Sequence, residues 1–148
     1  GWFIRLTQNT GERVIVDPDV FGDFLFFNTW IPENTVCSAG GSGVLMSIDL
    51  VTGGRPEIAP FDLNGDNTID STDLLLSGSS TYAATGQIFT RGLPASSSFL
   101  TDYQYTPGTS GGSTIEKRRV RPPAPPPTPT PPTPLSNMKR NSWQEIRH

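Results

Sequence analysis

Short apolar runs separated by closely spaced turn residues constrain the fold of this chain more than any other feature of its sequence. The 148 residues include 15 glycines and 15 prolines, and only 17% of the residues are charged. Glycine and proline are both unfavourable inside helices, so long helices are not expected. Short strands bounded by turn signals are typical of all-β sandwiches, barrels and propellers. We therefore expect an all-β fold.

The candidate strands are short and rich in β-branched or aromatic residues. The aromatic run from 20 to 31 contains the pair Gly22-Asp23, which predicts a tight hairpin corner. Residues 74–76 are too few to assign. The other runs predicted as strands, or as containing one, are 1–6, 13–16, 44–50 and 81–90. Residues 95–114 are predicted as loop and hairpin, with a strand at 99–105 left open.

The distribution of charge predicts two segments with different physical properties. Residues 1–115 carry four Lys or Arg against twelve Asp or Glu, whereas residues 116–148 carry seven against two. Nine of the fifteen prolines lie between residues 121 and 134. Because proline has no N–H to pair in a sheet, such a run is expected to form an extended polyproline spacer. We therefore predict a β domain at 1–115 and a basic, proline-rich linker at 116–135.

The basic C-terminal segment, residues 136–148, permits two interpretations. The spacing of Ser142 and Glu145 fits a capping box, which predicts one helical turn. Trp143 and Ile146 serve equally well as anchors of a strand that docks back onto the domain. The sequence does not decide between them.

The rest of the sequence places few limits on cellular context. The chain starts at Gly1 without a charged and apolar leader, so we interpret it as a fragment of a longer protein. No apolar run reaches the roughly 18 residues that a membrane-spanning helix needs. Cys37 is the single cysteine, which excludes an intrachain disulfide. We interpret it as a small buried thiol, with pairing outside the chain left open.

The stretch FDLNGDNTIDSTD, residues 61–73, concentrates acidic side chains in a way that calls for a cation. Carboxylates held close together raise each other's pKa values unless a positive charge lies between them. Counted from Asp62, oxygen-bearing residues occupy positions 1, 3, 5 and 9, and a backbone carbonyl is available at position 7. This spacing is that of a calcium-binding loop. The expected ligands are Asp62, Asn64, Asp66, Thr68 (through its carbonyl) and Asp70.

Two positions depart from the usual calcium loop. Position 6 is Asn67 instead of glycine, but asparagine tolerates the positive φ that the turn requires. Position 12 is Asp73, which is shorter than the usual bidentate glutamate, so its role as a sixth ligand is left open. The alternative interpretation is a solvated acidic turn. Magnesium is less suitable because it requires strict octahedral geometry.

The residues around the acidic loop, residues 62–73, do not predict a true EF-hand. Two glycines and two prolines between residues 50 and 61 exclude an entering helix. The residues after the loop leave room for at most one helical turn before Gly78. We therefore predict an EF-hand-like loop in a β context, which holds calcium without opening a pair of helices.

An ordered set of sequence blocks resembles a known family. The set resembles the C-terminal part of the type IV pilus tip-associated proteins of the PilY/PilC type, over residues 1–115 and the extreme C-terminus. The blocks are GWFIRL (1–6), GERV (11–14), FFNT (26–29), CSAGGS (37–42), LMSID (45–49), FDLNGD (61–66) and NSWQE (141–145).

The resemblance implies a fold, a function and a location. The fold would be a modified β-propeller, of which residues 1–115 supply two to three blades at about 40–45 residues per blade, and its partner would be the upstream remainder. It implies one Ca²⁺ site in the acidic loop and no enzymatic activity. It also implies roles in pilus biogenesis, surface adhesion and twitching motility. The implied location is the cell surface, at the pilus, the outer membrane or outside the cell, with minor pilins, other pilus machinery and host-surface ligands as partners.

Parts of the sequence also suggest four other functions. Gly108 to Gly112 matches the G-x-S-x-G nucleophile motif around Ser110, but the only histidine is the terminal His148. A dockerin-like protein-binding module has a similar calcium loop, but it carries two loops with exit helices. The basic residues of the tail suggest phosphate binding, yet no aromatic residues lie between the prolines to stack bases. No nucleic-acid partner is expected, and an SH3 or WW ligand is a further alternative for the proline run.

Overall fold

The computed structural model describes residues 1–33, 40–110 and 114–128, and within them the chain is all-β. One 3₁₀ turn, Ser71–Asp73, is the only helical element of this part of the chain. The all-β prediction is confirmed. The strands are β1 (Arg13–Val14), β2 (Asp19–Phe21), β3 (Phe24–Pro32), β4 (Gly41–Asp49), β5 (Leu74–Ser77), β6 (Ser80–Ala83), β7 (Gly86–Phe89), β8 (Ser98–Leu100), β9 (Tyr103–Pro107) and β10 (Ile115–Arg119).

The main sheet is antiparallel and contains five strands in the order β1-β3-β4-β7, with β2 also paired to β3. β2 and β3 form the predicted hairpin, and its corner is Gly22-Asp23, with Gly22 at φ +64°. The long central pair β3–β4 runs in continuous register from Phe24 opposite Asp49 to Pro32 opposite Gly41.

The N-terminal run 1–6, predicted as a strand, is not one, because residues 1–7 form no ladder. Its alternation has a different cause. Trp2, Ile4 and Leu6 line an apolar groove together with Leu25 and Phe27 of β3. The alternating side chains therefore pack against a face of the sheet without pairing with its edge.

Two smaller sheets complete the described structure. The small sheet has the order β10-β9-β8, and β5 and β6 form a separate hairpin. The single strand expected in residues 81–90 is divided into β6 and β7, which belong to different sheets. The hairpin predicted within residues 95–114 is confirmed as β8–β9, which turns at Thr101 with φ +56°.

The first residues of the predicted linker, 116–119, belong to strand β10, so the linker prediction is wrong at its N-terminal end. The sequence interpretation assigned residues 116–135 to a linker, but Ile115–Arg119 pairs with β9 over five residues and Val120 is 0% exposed. The charges of this segment are compensated within the small sheet. Arg118 pairs with Glu116, and Arg119 pairs with Asp102 at 2.6 Å. Residues 121–128 contain no strand, and the predictions for Cys37 and for residues 136–148 lie outside the described residues.

The hydrophobic core joins the main sheet to the start of the acidic loop and the end of β10. It consists of Phe24, Phe26, Phe61 and Val120, all buried. Phe26 lies at its centre, with ring centroids 5.8 Å from Phe61 and 5.0 Å from Phe99 of β8. The residue that precedes the loop, Phe61, is therefore fixed in the core, which gives the loop a rigid base.

Within the described ranges, no helix is long and apolar enough to cross a lipid bilayer.

Candidate metal centre

The first half of the acidic loop is curled by side chains that bind the loop's own backbone. Asp62 Oδ1 accepts the N–H of Gly65 at 2.6 Å, and Asp62 Oδ2 accepts the N–H of Asn67 at 3.0 Å. Gly65 and Asn67 have φ values of +79° and +65°. The positive φ predicted at Asn67 is confirmed. The loop therefore turns sharply around the carboxylate of Asp62.

The next two expected ligands repeat this arrangement. Asn64 Oδ1 accepts the N–H of Asp66 at 2.9 Å, and Asp66 Oδ1 accepts the N–H of Thr68 at 2.7 Å. Asn64 Nδ2 also donates to Asp66 Oδ2 at 3.0 Å and to Thr72 Oγ1 at 2.8 Å. The side chains of residues 62, 64 and 66 thus each accept hydrogen bonds from backbone N–H groups two to five residues further along the chain. Their convergence on one cation stays a prediction.

Asp70 caps the 3₁₀ turn that ends the loop. Its Oδ1 accepts hydrogen bonds from the backbone N–H and the hydroxyl of Thr72, at 2.7 and 2.8 Å. These bonds stabilise the ionised carboxylate and hold the pKa of Asp70 below its ordinary value. The bond from the backbone N–H of Thr72 has the larger effect on this pKa. Asp70 is therefore present as an anion in the physiological pH range.

Asp73 closes the loop from the inside. Its Oδ1 accepts the N–H groups of Leu63 at 2.7 Å and Asn64 at 3.3 Å, and its Oδ2 accepts the N–H of Asp70 at 3.0 Å. The residue is only 1% exposed. Both oxygens are thus engaged with the backbone at the start and the end of the loop. The sequence carried a signal for this role, since Asp70 and Asp73 have the spacing of a capping box.

Arg121 holds the acidic loop from outside, a role that the sequence interpretation missed. Arg121 Nε donates to the carbonyl of Ala59 at 2.8 Å, and Arg121 Nη2 donates to the carbonyl of Ile69 at 3.1 Å. Its backbone N–H donates to Pro60 O at 2.9 Å. No local sequence pattern predicts this contact, because the partners lie 52 and 62 residues apart.

The donor chemistry of the loop fits calcium, although the carboxylates are not gathered as ligands. The side-chain donors at the expected positions are all hard oxygen atoms, the type that Ca²⁺ prefers. Each ionised carboxylate has about four lone-pair sites, so a hydrogen bond from the backbone leaves capacity for a metal. In residues 1–33, 40–110 and 114–128, no three Asp, Glu, His or Cys side chains form a metal-binding group.

A polar cleft of about 440 Å³ separates the acidic loop from the small sheet. Asp62, Asn64 and Asn67 line one side, and Tyr103 and Lys117 are among the residues on the other. The Nζ of Lys117 lies 3.7 Å from the centroid of the Tyr103 ring, a cation–π contact. The residues considered for phosphate binding are the basic run at 117–121 and Lys139 with Arg140, and the last two lie outside the described residues. Within 117–119, Lys117 makes this contact, and Arg118 and Arg119 form the two ion pairs.

The structure also bears on two of the alternative functions. The acidic loop leads directly into strand β5, not into the exit helix that a dockerin-like module requires. The N–H of Ser110 donates to the carbonyl of Arg91 at 3.0 Å, which fixes Ser110 against the segment that follows β7. His148, Gly111 and Gly112 lie outside the described residues.

Comparison with solved structures finds one protein domain with a similar fold. The crystal structure of the Pseudomonas aeruginosa PilY1 C-terminal domain matches with a TM-score of 0.62 and 22% sequence identity. The match covers 82% of this chain and 23% of the solved chain. The all-β architecture is therefore that of a part of the PilY1 C-terminal domain.

Sequence comparison leads to the same proteins. A type IV pilus biogenesis factor PilY1 homolog of Xylella fastidiosa is 41% identical in an alignment 69 residues long that covers 43% of this chain. Type IV pilus biogenesis factor PilY1 of Pseudomonas aeruginosa (strain PAK) is 31% identical over 74 residues, 48% of this chain. No family model matches the chain. The chain spans about 6% of the length of these relatives. The resemblance to the PilY-type pilus proteins is confirmed.

Proposed function

We propose that this chain is a calcium-binding, non-enzymatic part of a type IV pilus biogenesis factor. The observation that carries the proposal is the acidic loop, whose backbone curls around oxygen-bearing side chains that have the spacing of a calcium loop. The curated relatives of the chain are named for pilus biogenesis. Asp62, Asn64, Asp66 and Asp70 would hold the ion with their side chains, and Thr68 with its carbonyl.

The proposed mechanism is electrostatic ordering of the acidic loop. The ion supplies the positive charge that lets Asp62, Asp66 and Asp70 lie close together as anions. Without it, repulsion between these carboxylates opposes the curl that the backbone hydrogen bonds favour. The loop joins the core at Phe61 and continues into β5 at Leu74, so a change in its order reaches both elements.

The loop-proximal hairpin β5–β6 offers a route from calcium to a partner. Leu75 and Leu76 are exposed on this hairpin, which starts at the residue after Asp73. We assign this apolar hairpin to contact with pilus machinery, including minor pilins. On this view, calcium occupancy biases pilus extension, surface adhesion and twitching motility at the cell surface, and host-surface ligands are the further class of partner.

The proposal includes a larger β-propeller, completed by other parts of the protein. The register places Val20, Leu25, Ile48 and Ile88 on one face of the main sheet. Val20 is 59% exposed and Ile88 is 72% exposed, whereas Ile48 is 3% exposed. Among the described residues no strand pairs with the outer edge of β7, although Arg118 Nη2 donates to the carbonyl of Ile88 at 2.7 Å. Exposed apolar faces and unpaired edges need covering. The upstream remainder of the propeller is the proposed cover, since the matching solved domain is several times longer than this chain.

A calcium titration of the chain tests the metal site. The parent is titrated calorimetrically after treatment with a chelator, together with Asp70→Ala and, as a control, Asp17→Ala, which removes an exposed carboxylate outside the loop. We expect the parent and Asp17→Ala to bind one ion and Asp70→Ala to bind much more weakly while keeping its fold. At 100 times the dissociation constant, calcium should stabilise the parent by about 2.7 kcal/mol. A titration of Asp70→Ala that matched the parent's would refute the site.

The pilus role is tested with the full-length protein in its own cells. Strains carrying Asp70→Ala or Asp17→Ala at equal protein levels are compared for surface pili and for twitching. The proposal expects a change with Asp70→Ala alone. If the two strains had equal numbers of surface pili and equal twitching, the proposed role of the acidic loop in pilus function would be wrong.

A further inference from the structure

We propose that Arg121 is a positioning residue that couples the acidic loop to the start of the proline-rich segment, residues 121–134. Calcium binding and the direction in which that segment leaves the domain are then linked. The inference rests on the proposed calcium site and extends it: it assigns a residue outside the loop, and it names the element that responds to the ion.

The contacts of Arg121 bridge the two ends of the loop. Ala59 lies just before the loop, and Ile69 directly precedes Asp70, the last of the five expected ligands. One guanidinium donates to the carbonyls of both residues, at 2.8 and 3.1 Å. The planar guanidinium presents several N–H donors in a fixed geometry, which an ammonium group cannot reproduce. Arg121 therefore sets the separation between the base of the loop and its Asp70 end.

The backbone next to Arg121 runs along the base of the loop. Phe61 and Val120 form an antiparallel bridge. The N–H of Asp62 donates to the carbonyl of Arg119 at 3.3 Å, and the N–H of Arg121 donates to the carbonyl of Pro60 at 2.9 Å. The first expected ligand, Asp62, is thus hydrogen-bonded through its own backbone to the end of β10. A shift of either segment is transmitted to the other.

The proline-rich segment starts at this point with its direction fixed. Pro122 follows Arg121 and restricts the backbone, because proline fixes φ and lacks an N–H. Pro123 lies against the corner of the β2–β3 hairpin, where a Cβ added to Gly22 would come within 3.2 Å of its Cα. The segment therefore leaves the domain between two contacts, one with the loop and one with the main sheet.

Electrostatics and positioning predict opposite signs, which makes the test decisive. Arg121 carries a positive charge close to the loop, and a like charge disfavours a cation. Removing that charge alone should therefore tighten calcium binding. If Arg121 instead positions Asp70 and Asp62, its removal should weaken binding by about 10- to 100-fold, the range typical of residues that orient metal ligands.

The experiment titrates calcium into the parent chain, Arg121→Gln, Arg121→Lys and Lys117→Gln. Lys117 is the matched control, because it faces the loop across the cleft and has no hydrogen bond to it. We expect Arg121→Gln and Arg121→Lys to bind more weakly than the parent, and Lys117→Gln to bind as tightly or more tightly. An Arg121→Gln affinity equal to or above the parent's, with the parent binding normally, overturns the inference. Absence of binding by the parent overturns the proposed calcium site and, with it, the coupling.

Hydrogen exchange provides a second readout that does not depend on affinity. In the parent, calcium should slow exchange of the Val120 and Arg121 amides. In Arg121→Gln, calcium should leave the amides of residues 120 and 121 unchanged, and residues 59–70 should exchange faster than in the parent even with chelator present. The far-UV circular dichroism and melting of each variant show whether it is folded. Equal exchange of residues 59–70 in folded Arg121→Gln and parent, both in chelator, would contradict the positioning role.

Discussion

Asp73 accepts the backbone N–H of Leu63 at 2.7 Å, across ten residues of chain. This hydrogen bond joins the last residue of the acidic loop to its second residue. The sequence left open whether this carboxylate is a sixth metal ligand; in the structure it is buried and binds the loop backbone. The loop therefore has an internal closure that is independent of any ion.

The substitution Asp73→Ala should destabilise the fold even when no calcium is present. It removes a buried acceptor of three backbone N–H groups. A hydrogen bond to a charged group contributes about 1.5–3 kcal/mol. We expect a loss of about 3 kcal/mol for Asp73→Ala, and a smaller loss for Asp73→Asn, which keeps one acceptor oxygen. Urea denaturation in chelator measures both, with Asp17→Ala as the control. A midpoint for Asp73→Ala within error of the parent's would contradict the closure.

Protonation of Asp70 should loosen the end of the loop at low pH. Because the pKa of Asp70 is lowered by Thr72, its contribution to stability is present above the ordinary value of 3.8 and is lost as the pH falls through the lower folded value. The substitution Thr72→Val removes the hydroxyl bond but keeps the backbone bond. The pKa of Asp70 should therefore rise part of the way towards its ordinary value.

A second Asp–Thr pair supplies the control for this prediction. Thr52 donates to Asp49 through its hydroxyl and through its backbone N–H. Both bonds lower the pKa of Asp49, and the hydroxyl bond has the larger effect. NMR titration of the side-chain carboxyl carbons, in chelator, should show Thr72→Val moving Asp70 alone and Thr52→Val moving Asp49 alone. A common shift of both groups in either variant would mean that the cause is not local.

Removal of the Phe26 ring should be among the most damaging single substitutions. Phe26 is 1% exposed and contacts aromatic rings from the main sheet, the small sheet and the base of the acidic loop. A buried Phe→Ala change costs about 3–5 kcal/mol. Val20→Ala, an exposed site in the same sheet, should stay within about 0.5 kcal/mol. Chemical denaturation compares the two, and similar losses would mean that this aromatic cluster is not the core.

Features set by neighbouring residues were predictable from the sequence, whereas features set by distant partners were not. The Gly22-Asp23 corner and the positive φ of Asn67 depend on local backbone geometry, and both predictions are confirmed. The alternating side chains of the acidic loop are also a local pattern. A short stretch of sequence contains all the information that such features need.

Strand β10 shows what the sequence could not reveal. Its five residues include four charged ones, which predicts a solvated segment. In the structure, Asp102 pairs with Arg119 and Tyr103 lies beneath Lys117, and both partners come from the neighbouring hairpin. The contacts of Arg121 with Ala59 and Ile69 are of the same kind. Contacts with distant parts of the chain thus make a strand of the small sheet out of a segment whose sequence is typical of a linker.

The contact between Gly22 and Pro123 has a consequence for how related chains can differ. A larger residue at position 22 would displace the second proline of the tract, because an added Cβ comes within 3.2 Å of it. The nearest atom is the Cα of Pro123, a backbone atom which every residue at position 123 has, and Gly22 has a φ of +64°. We therefore expect homologues to keep glycine at position 22 whichever residue stands at 123. Insertions and deletions that lengthen or shorten the proline-rich segment should fall after Pro123. The length of the segment can then change in evolution while its first residues keep their contacts with the domain.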